Sequence, residues 1–250
     1  AGPAALGARG ASAPGLRRQC RDQDVRLELQ FLGPLDAAGL DAVVASAPRR
    51  RVASVASSEP TERGCAAMLA AAGAHLETFV QRAELIKTSV WSLELFSGAA
   101  SLTALDCSST RCDGRLEELA ALTRLRALKL SRTYCEGDVA SLAALPLETL
   151  ALAECSSVDG DAASLFRPGH RLRRCDLRGT GVEGLLPILF HRCGGGPATR
   201  LDLADTLVEG PLDGVERLEH LEFLSVRGLD VTGGLAPLAG LGRLTHVDAS

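Results

Sequence analysis

Apolar positions in this chain recur in one short phrase that is written again and again from Leu102 onward. SLTALDCSSTRCDG is followed by LRALKLSRTYCEG, LRRCDLRGTGVEG, TRLDLADTLVEG and LEFLSVRGLDVTG. In each, apolar residues stand at the first, fourth and sixth places, Val or Cys at the eleventh and Gly at the thirteenth, with Thr at the ninth in all but the last, where Leu229 stands. The first places are Leu102, Leu125, Leu147, Leu172, Ala198, Leu221 and Leu244, so successive steps are 23, 22, 25, 26, 23 and 23 residues. The fourth and sixth places alternate with polar neighbours, as in Leu128 and Leu130 or Leu201 and Leu203. That period of two predicts a short strand with one buried face. After each Gly a looser pattern returns, such as Leu116, Leu119 and Leu122, or Leu212, Val215 and Leu218. Its spacing predicts a turn or two of helix, so one coil holds a strand, a turn and a return segment.

One coil cannot bury its apolar side alone. A buried Leu contributes about 1.5–3 kcal/mol, and about three repeats are needed for a continuous core. Stacking is therefore obligatory, and the steps fall in the range of about 20–29 residues characteristic of leucine-rich repeats. The chain resembles that class, which implies an α/β solenoid: a leucine-rich-repeat horseshoe with a concave parallel β-sheet and short helices or irregular segments on the convex side.

Upstream of Leu102 the coils are looser. VRLELQF reads as a strand with Val25, Leu27 and Leu29 on one face. It is followed by GPLDAAGLDAVVASAP, where Leu35, Leu40 and Val44 mark one helical face and Pro48 limits it. RVASVASS supplies Val52 and Val55, TERGCAAMLAAAGA a second Ala-rich helix with Thr61 as its N-cap, and LETFVQ supplies Leu76 and Phe79. Steps of 24 and 26 residues lead from Val52 to Leu76 and on to Leu102, so these are coils too. The expected organisation is a tail or linker over residues 1–21 and one solenoid over 22–250, looser and helix-containing to residue 101 and regular from 102. LTHVDAS stops at the seventh place of a new coil. Solenoids protect a terminal core with a polar cap, so either the natural protein continues or something else covers that end.

Two subtype resemblances accompany this pattern. The DAAGLDAVVASA segment resembles the ribonuclease-inhibitor-like subtype. Gly179-Thr180-Gly181-Val182-Glu183-Gly184 and Thr206-Leu207-Val208-Glu209-Gly210 resemble the G-T-x-V-x-G repeats of trypanosomatid protozoa, which occur in surface antigens and proteophosphoglycans. The phrase points to a source more than to a function. The disulfide-rich flanks and anchor signals of those surface proteins are not read here, so the resemblance carries no surface location.

Composition changes this picture little. Apolar residues make up 46% and aromatic residues 3%, as narrow coils filled with Leu, Val and Ala require. No run approaches the roughly 18 apolar residues that span a bilayer, so no membrane partner is expected. A net charge of −4 argues for neither a nucleic-acid partner nor charge-driven expansion. Lys87 and Lys129 are the only lysines among 27 basic residues, a bias that reads as coding composition rather than function. Cys107 and Cys175 occupy buried strand places, and Cys112 and Cys135 fill the eleventh place that Val182, Val208 and Val231 fill elsewhere. They behave as small hydrophobes. A Cys112–Cys135 disulfide is geometrically open, since neighbouring strands lie about 4.8 Å apart, but reduced core thiols account for the positions without it. The Ala, Gly and Arg of residues 1–21 read as an extended tail, with an organellar transit segment as the alternative. The expected location is intracellular, cytoplasmic or cytoskeletal and flagellar, with mitochondrial the alternative.

Several chemical motifs dissolve into the repeat. GTGVEG at residues 179–184 has the form of a dinucleotide-binding fingerprint, with Asp202 downstream. Thr180, Val182 and Gly184 nevertheless occupy the columns of Thr206, Val208 and Gly210, which make no such motif. Gly194-Gly195-Gly196 lacks the Lys and Ser or Thr of a phosphate-binding loop and reads as a slack inter-coil connection. His170, His191 and Cys193 lack zinc-ligand spacing. No catalytic, cofactor-binding or metal site is expected, and the chain reads as a non-enzyme.

What remains is the open face of the strands, where places three, five and seven point away from the core. The early coils offer Ala104, Asp106 and Ser108, then Ala127, Lys129 and Ser131, then Thr149, Ala151 and Ala153. The later coils offer Arg174, Asp176 and Arg178, then Arg200, Asp202 and Ala204, then Phe223, Ser225 and Arg227, then His246 and Asp248. Arg and aromatic side chains are the usual anchors of interfaces. Arg174, Asp176, Arg178, Arg200, Asp202, Phe223 and Arg227 are therefore the candidate partner-binding residues, against the alternative that these charges solvate one another. The expected function is a protein-binding scaffold or structural subunit whose partners are other proteins, within a multi-subunit complex. A substrate-receptor subunit of a protein-modifying complex, as in F-box proteins with such repeats, is one alternative, although no adaptor-binding helical module is read here. An RNA-contacting subunit using Arg173, Arg174, Arg178, Arg200 and Arg227 is another, weakened by the interleaved Asp176, Asp202 and Asp248.

Overall fold

A computed structural model describes residues 26–34, 51–59, 78–81 and 91–250. The expected tail and the two helices proposed around DAAGLDAVVASA and TERGCAAMLAAAGA lie outside the described residues. The strands expected on either side of them are present.

Ten strands lie side by side in chain order: Arg26–Pro34, Arg51–Glu59, Thr78–Gln81, Ala104–Asp106, Ala127–Lys129, Thr149–Ala151, Arg174–Asp176, Arg200–Asp202, Phe223–Ser225 and His246–Asp248. Every neighbouring pair is parallel. The register carries each repeat column straight across the sheet, with Leu105, Leu128, Leu150, Cys175, Leu201, Leu224 and Val247 opposite one another. From Leu105 to Leu224 these side chains are buried, together with Cys107, Leu130, Leu152, Leu177, Leu203 and Val226 two places on. The solenoid register read from the sequence is the register of the sheet.

Each strand ends in the same way. The eighth place adopts a left-handed conformation at Ser109, Arg132, Glu154, Gly179, Asp205 and Gly228, with φ between 55° and 72°. This single residue turns the chain out of the sheet, and the ninth place then drops into the core. There Thr110, Thr133, Thr180 and Thr206 are buried, and each hydroxyl donates to the carbonyl three residues earlier, on Cys107, Leu130, Leu177 and Leu203, at 2.6–2.8 Å. A buried carbonyl left without a donor would cost about 1–3 kcal/mol, so Thr recurs because it satisfies the turn with a side chain small enough for the core. The coil that begins at Leu147 carries Cys155 instead, whose thiol donates to the carbonyl of Leu130 in the preceding coil at 3.0 Å.

The chain then enters a second parallel sheet, which the periodicity did not announce. Its seven strands are Trp91–Ser92, Cys112–Arg115, Tyr134–Asp138, Ser157–Asp161, Gly181–Leu185, Leu207–Pro211 and Asp230–Thr232. Cys112, Cys135, Val158, Val182 and Val208 face inward from it. The repeated Gly follows directly. At Gly184 φ is +131°, and an added Cβ would stand 2.8 Å from the Asp161 carboxylate of the preceding strand, so a side chain is refused twice over.

The return segments are single 3₁₀ turns, Leu93–Phe96, Leu116–Leu119, Val139–Leu142, Ala162–Leu165, Val215–Arg217 and Ala236–Gly240, and one α-helix, Leu186–Cys193. Asp138 and Asp161 cap two of the turns through hydrogen bonds from Ala140 and Ala163. The α-helix occupies the longest of the regular coils and leads into Gly194-Gly195-Gly196. That loop is close-packed at Gly194 and Gly196, while Gly195 between them faces open space. A Cβ on Gly194 would lie 2.9 Å from Cβ of Arg217, and one on Gly196 would lie 2.3 Å from Nε2 of His170.

Candidate functional site

The side chains on the outer face of the ten-stranded sheet are small from Ala104 to Ala153 apart from the Asp106–Lys129 pair, and mainly charged or aromatic from Arg174 to His246, with Ala153, Ala204 and Ser225 buried. The column at the third place runs in register through Thr149, Arg174, Arg200, Phe223 and His246. In it the guanidinium carbon of Arg200 stands 3.5 Å from the centre of the Phe223 ring. On the other side His246 stacks on the same ring, with centroids 4.7 Å apart and planes 9° from parallel. Phe223 is thus half-buried between a guanidinium and an imidazole and offers a partner its edge rather than an open face. The stack holds Arg200 in one position, since a cation over a ring face is attracted to its quadrupole.

The column at the fifth place serves the backbone. Asp106, Asp176, Asp202 and Asp248 each accept a hydrogen bond from the main-chain N–H two residues on, at 3.2–3.4 Å. These carboxylates fasten the strand end before the left-handed turn, a role sequence reasoning missed although the recurrence of Asp at this place signalled it. Asp202 is 3% exposed and also takes an ion pair from Arg200 at 3.4 Å. Asp176, beside it in register, is held above the usual carboxylate range, first by burial and then by the Asp202 charge.

Several cations on the ten-stranded sheet are answered by carboxylates. Lys129 pairs with Asp106 at 3.4 Å, Arg126 with Glu148 at 2.8 Å, Arg178 with Glu154 at 3.6 Å, and Arg227 with Asp205. Such exposed pairs contribute about 0–1 kcal/mol each, and they order the surface more than they stabilise it. Arg173 and Arg174 reach no carboxylate among the described residues. They open onto a groove of about 420 Å³ together with Thr199, Arg200, Glu222 and Phe223.

The flank of the molecule is acidic. Asp113, Glu136, Asp159, Glu183 and Glu209 alternate with the buried residues of the seven-stranded sheet and so project from its outer face. Sequence reasoning did not find this column, because it belongs to a sheet it had not expected.

The histidines set aside in the sequence have structural surroundings. His191 shares a hydrogen bond with Arg217 at 3.0 Å. His170 lies edge-on against Phe166, and burial lowers its pKa. The described cysteines, Cys107, Cys112, Cys135, Cys155, Cys175 and Cys193, are buried and form no disulfide, so Cys112 and Cys135 are not bridged. The hydrogen bond with Cys155, followed by burial, pushes the Cys135 thiol well above its ordinary range, and burial does the same to Cys175 and Cys193.

No protein-family model matches the chain, and no curated protein is similar to it in sequence. Solved structures are similar in fold. The plant peptide hormone receptor RGFR1, in complex with RGF2, superposes with a TM-score of 0.61 at 15% identity over 89% of this chain and 43% of its own. The leucine-rich-repeat ectodomain of the Arabidopsis receptor kinase HAESA, in complex with an IDA peptide hormone, gives 0.65 at 15% identity over 90% and 41%. A plant ice-binding protein gives 0.57 at 18% identity over 93% and 84%. The chain spans less than half the length of the two receptor chains. At these identities the likeness concerns architecture alone, and with the two parallel sheets and the repeat register it establishes that the fold is a leucine-rich-repeat solenoid.

Proposed function

We propose that this chain is a non-enzymatic protein-binding module, a scaffold or structural subunit of a larger assembly, that engages its partner on the ten-stranded sheet between Arg174 and His246. The observation that carries the reading is the in-register row Arg174, Arg200, Phe223 and His246, in which a stacked aromatic holds a guanidinium in place. Pre-positioned Arg and aromatic groups lose little conformational freedom on binding, which is what makes such residues interface anchors. The rigidity comes from the coils beneath, whose buried columns do not change when outward residues do. Solenoids of the same fold hold peptide hormones in RGFR1 and HAESA, which supports a peptide or protein as the ligand here.

The test compares wild type with a chain carrying Arg200→Ala, Phe223→Ala and Arg227→Ala, in affinity capture followed by mass spectrometry, with cooperative thermal unfolding as the control for folding. A reproducible set of proteins held by wild type and lost by the folded variant is the expected result. Equal capture by both moves the interface to the flank or the convex side.

A further inference from the structure

We infer that the groove at the edge of the ten-stranded sheet, bounded by Arg173, Arg174, Arg200 and Phe223, receives an acidic segment of a partner protein, whose carboxylates lie between the guanidinium groups of Arg174 and Arg200. The inference deepens the protein-binding reading and rests on it.

Arg174 and Arg200 stand directly opposite each other on neighbouring parallel strands. Strands in a sheet are about 4.8 Å apart, and like charges placed directly across such a gap repel. Elsewhere on this sheet a cation is answered by a carboxylate, as Lys129 is by Asp106, Arg178 by Glu154 and Arg227 by Asp205. Here the carboxylate of Asp202 answers Arg200 alone, from the core side of the column. Arg173 and Arg174 are left without an anion among the described residues, and both are exposed. The stack on Phe223 keeps Arg200 from swinging away. Two unanswered cations beside a third that is held in place make a site fitted to an anion.

Two further features choose among anions. Glu222 lines the same groove, and the fifth-place carboxylates Asp176 and Asp202 run beside it. Along the coils the second-place neighbours of Arg173 are Glu148 on one side and, beyond Thr199, Glu222 on the other. A long polyanion laid across the coils would meet Glu148 and Glu222 on either side of the cations, and the whole chain carries a net charge of −4. A nucleic acid gains its affinity from many phosphate contacts along a basic track, which this surface does not offer. A short run of Asp or Glu requires two or three guanidinium groups, each able to take a carboxylate through two parallel hydrogen bonds. The edge of the Phe223 ring gives that segment one apolar neighbour.

The experiment uses the chain of 250 residues and fluorescence anisotropy. The probes are a fluorescein-labelled peptide of glutamates with one central phenylalanine, the same peptide with every glutamate replaced by glutamine, and a labelled oligouridylate. The glutamate peptide should bind, and added salt should weaken it. Combined Arg173→Ala and Arg174→Ala should reduce its affinity by about tenfold or more, as loss of a charge partner does. Arg167→Ala with Arg192→Ala removes the same charge from exposed positions outside the groove and should change affinity by less than about twofold. The inference falls if the glutamate peptide does not bind, or if the Arg167 and Arg192 variant weakens it as much. Equal or tighter binding of oligouridylate with the same dependence on Arg173 and Arg174 also overturns it, in favour of a nucleic-acid surface. If the glutamine peptide binds as well as the glutamate one and is lost with Arg200→Ala and Phe223→Ala, the acidic partner is excluded while the protein-binding reading stands.

Discussion

Arg200 and Phe223 face each other in register on adjacent strands, the guanidinium carbon 3.5 Å from the ring centre, with His246 closing the other side of the ring. Two residues that a sequence reading offers as independent anchors are therefore one unit. A double-mutant cycle on stability should return a coupling of about 0.5–1 kcal/mol between Arg200→Ala and Phe223→Ala. Additive losses in urea unfolding would show that the stack does not order the guanidinium.

The buried threonines make a sharper claim about the coils. Thr180 and Thr206 each donate to a strand-end carbonyl, so Thr180→Val or Thr206→Val keeps the shape and removes the donor. Each should cost about 1–3 kcal/mol, whereas Thr→Val at the outward Thr149 should cost little. Equal midpoints for all three variants would mean that water or another donor serves those carbonyls.

Asp176 gives a pH dependence with a definite sign. Burial and the neighbouring Asp202 raise its folded-state pKa, so the folded chain holds this proton more tightly than the unfolded chain does. Its contribution is full below the unfolded carboxylate range and is lost as pH rises through the folded value. Asp176→Asn, which can still accept from the Arg178 N–H, should melt at or above wild type at neutral pH. Wild type should gain on the variant as pH falls. A melting difference that does not move with pH, or that moves the other way, refutes the assignment.

The thiols offer a test of core integrity. Cys107, Cys112, Cys135 and Cys175 are buried thiols in no disulfide, and a thiol reacts as its exposed thiolate. Native labelling with maleimide should be slow at all four and complete after unfolding. Fast modification of any of them in the folded chain would place that column at the surface.

Much of this architecture could be read along the chain because a solenoid is local: each coil repeats the same inward and outward places. Leu128, Leu203, Val182 and Gly184 were assigned from spacing, and the sheet register places them as that spacing requires. The seven-stranded sheet was missed for a physical reason. Its inward residues, such as Cys135 and Val208, come one per strand between outward ones, too short a pattern to announce a strand without the hydrogen bonds of the next coil.

The amino-acid sequence by itself determined the period, the buried columns, the need for stacking and the division of the open face into a small-residue half and a charged half. Only the tertiary structure decided what those outward residues are to one another. Phe223 is sandwiched, Asp202 is buried beneath Arg200, Arg178 and Arg227 are answered by Glu154 and Asp205, and Arg173 and Arg174 are left open. Each of these depends on a neighbour one coil away or on the rotamer that packing selects. A repeat states which way a side chain points, and the stacked coils decide what it meets there.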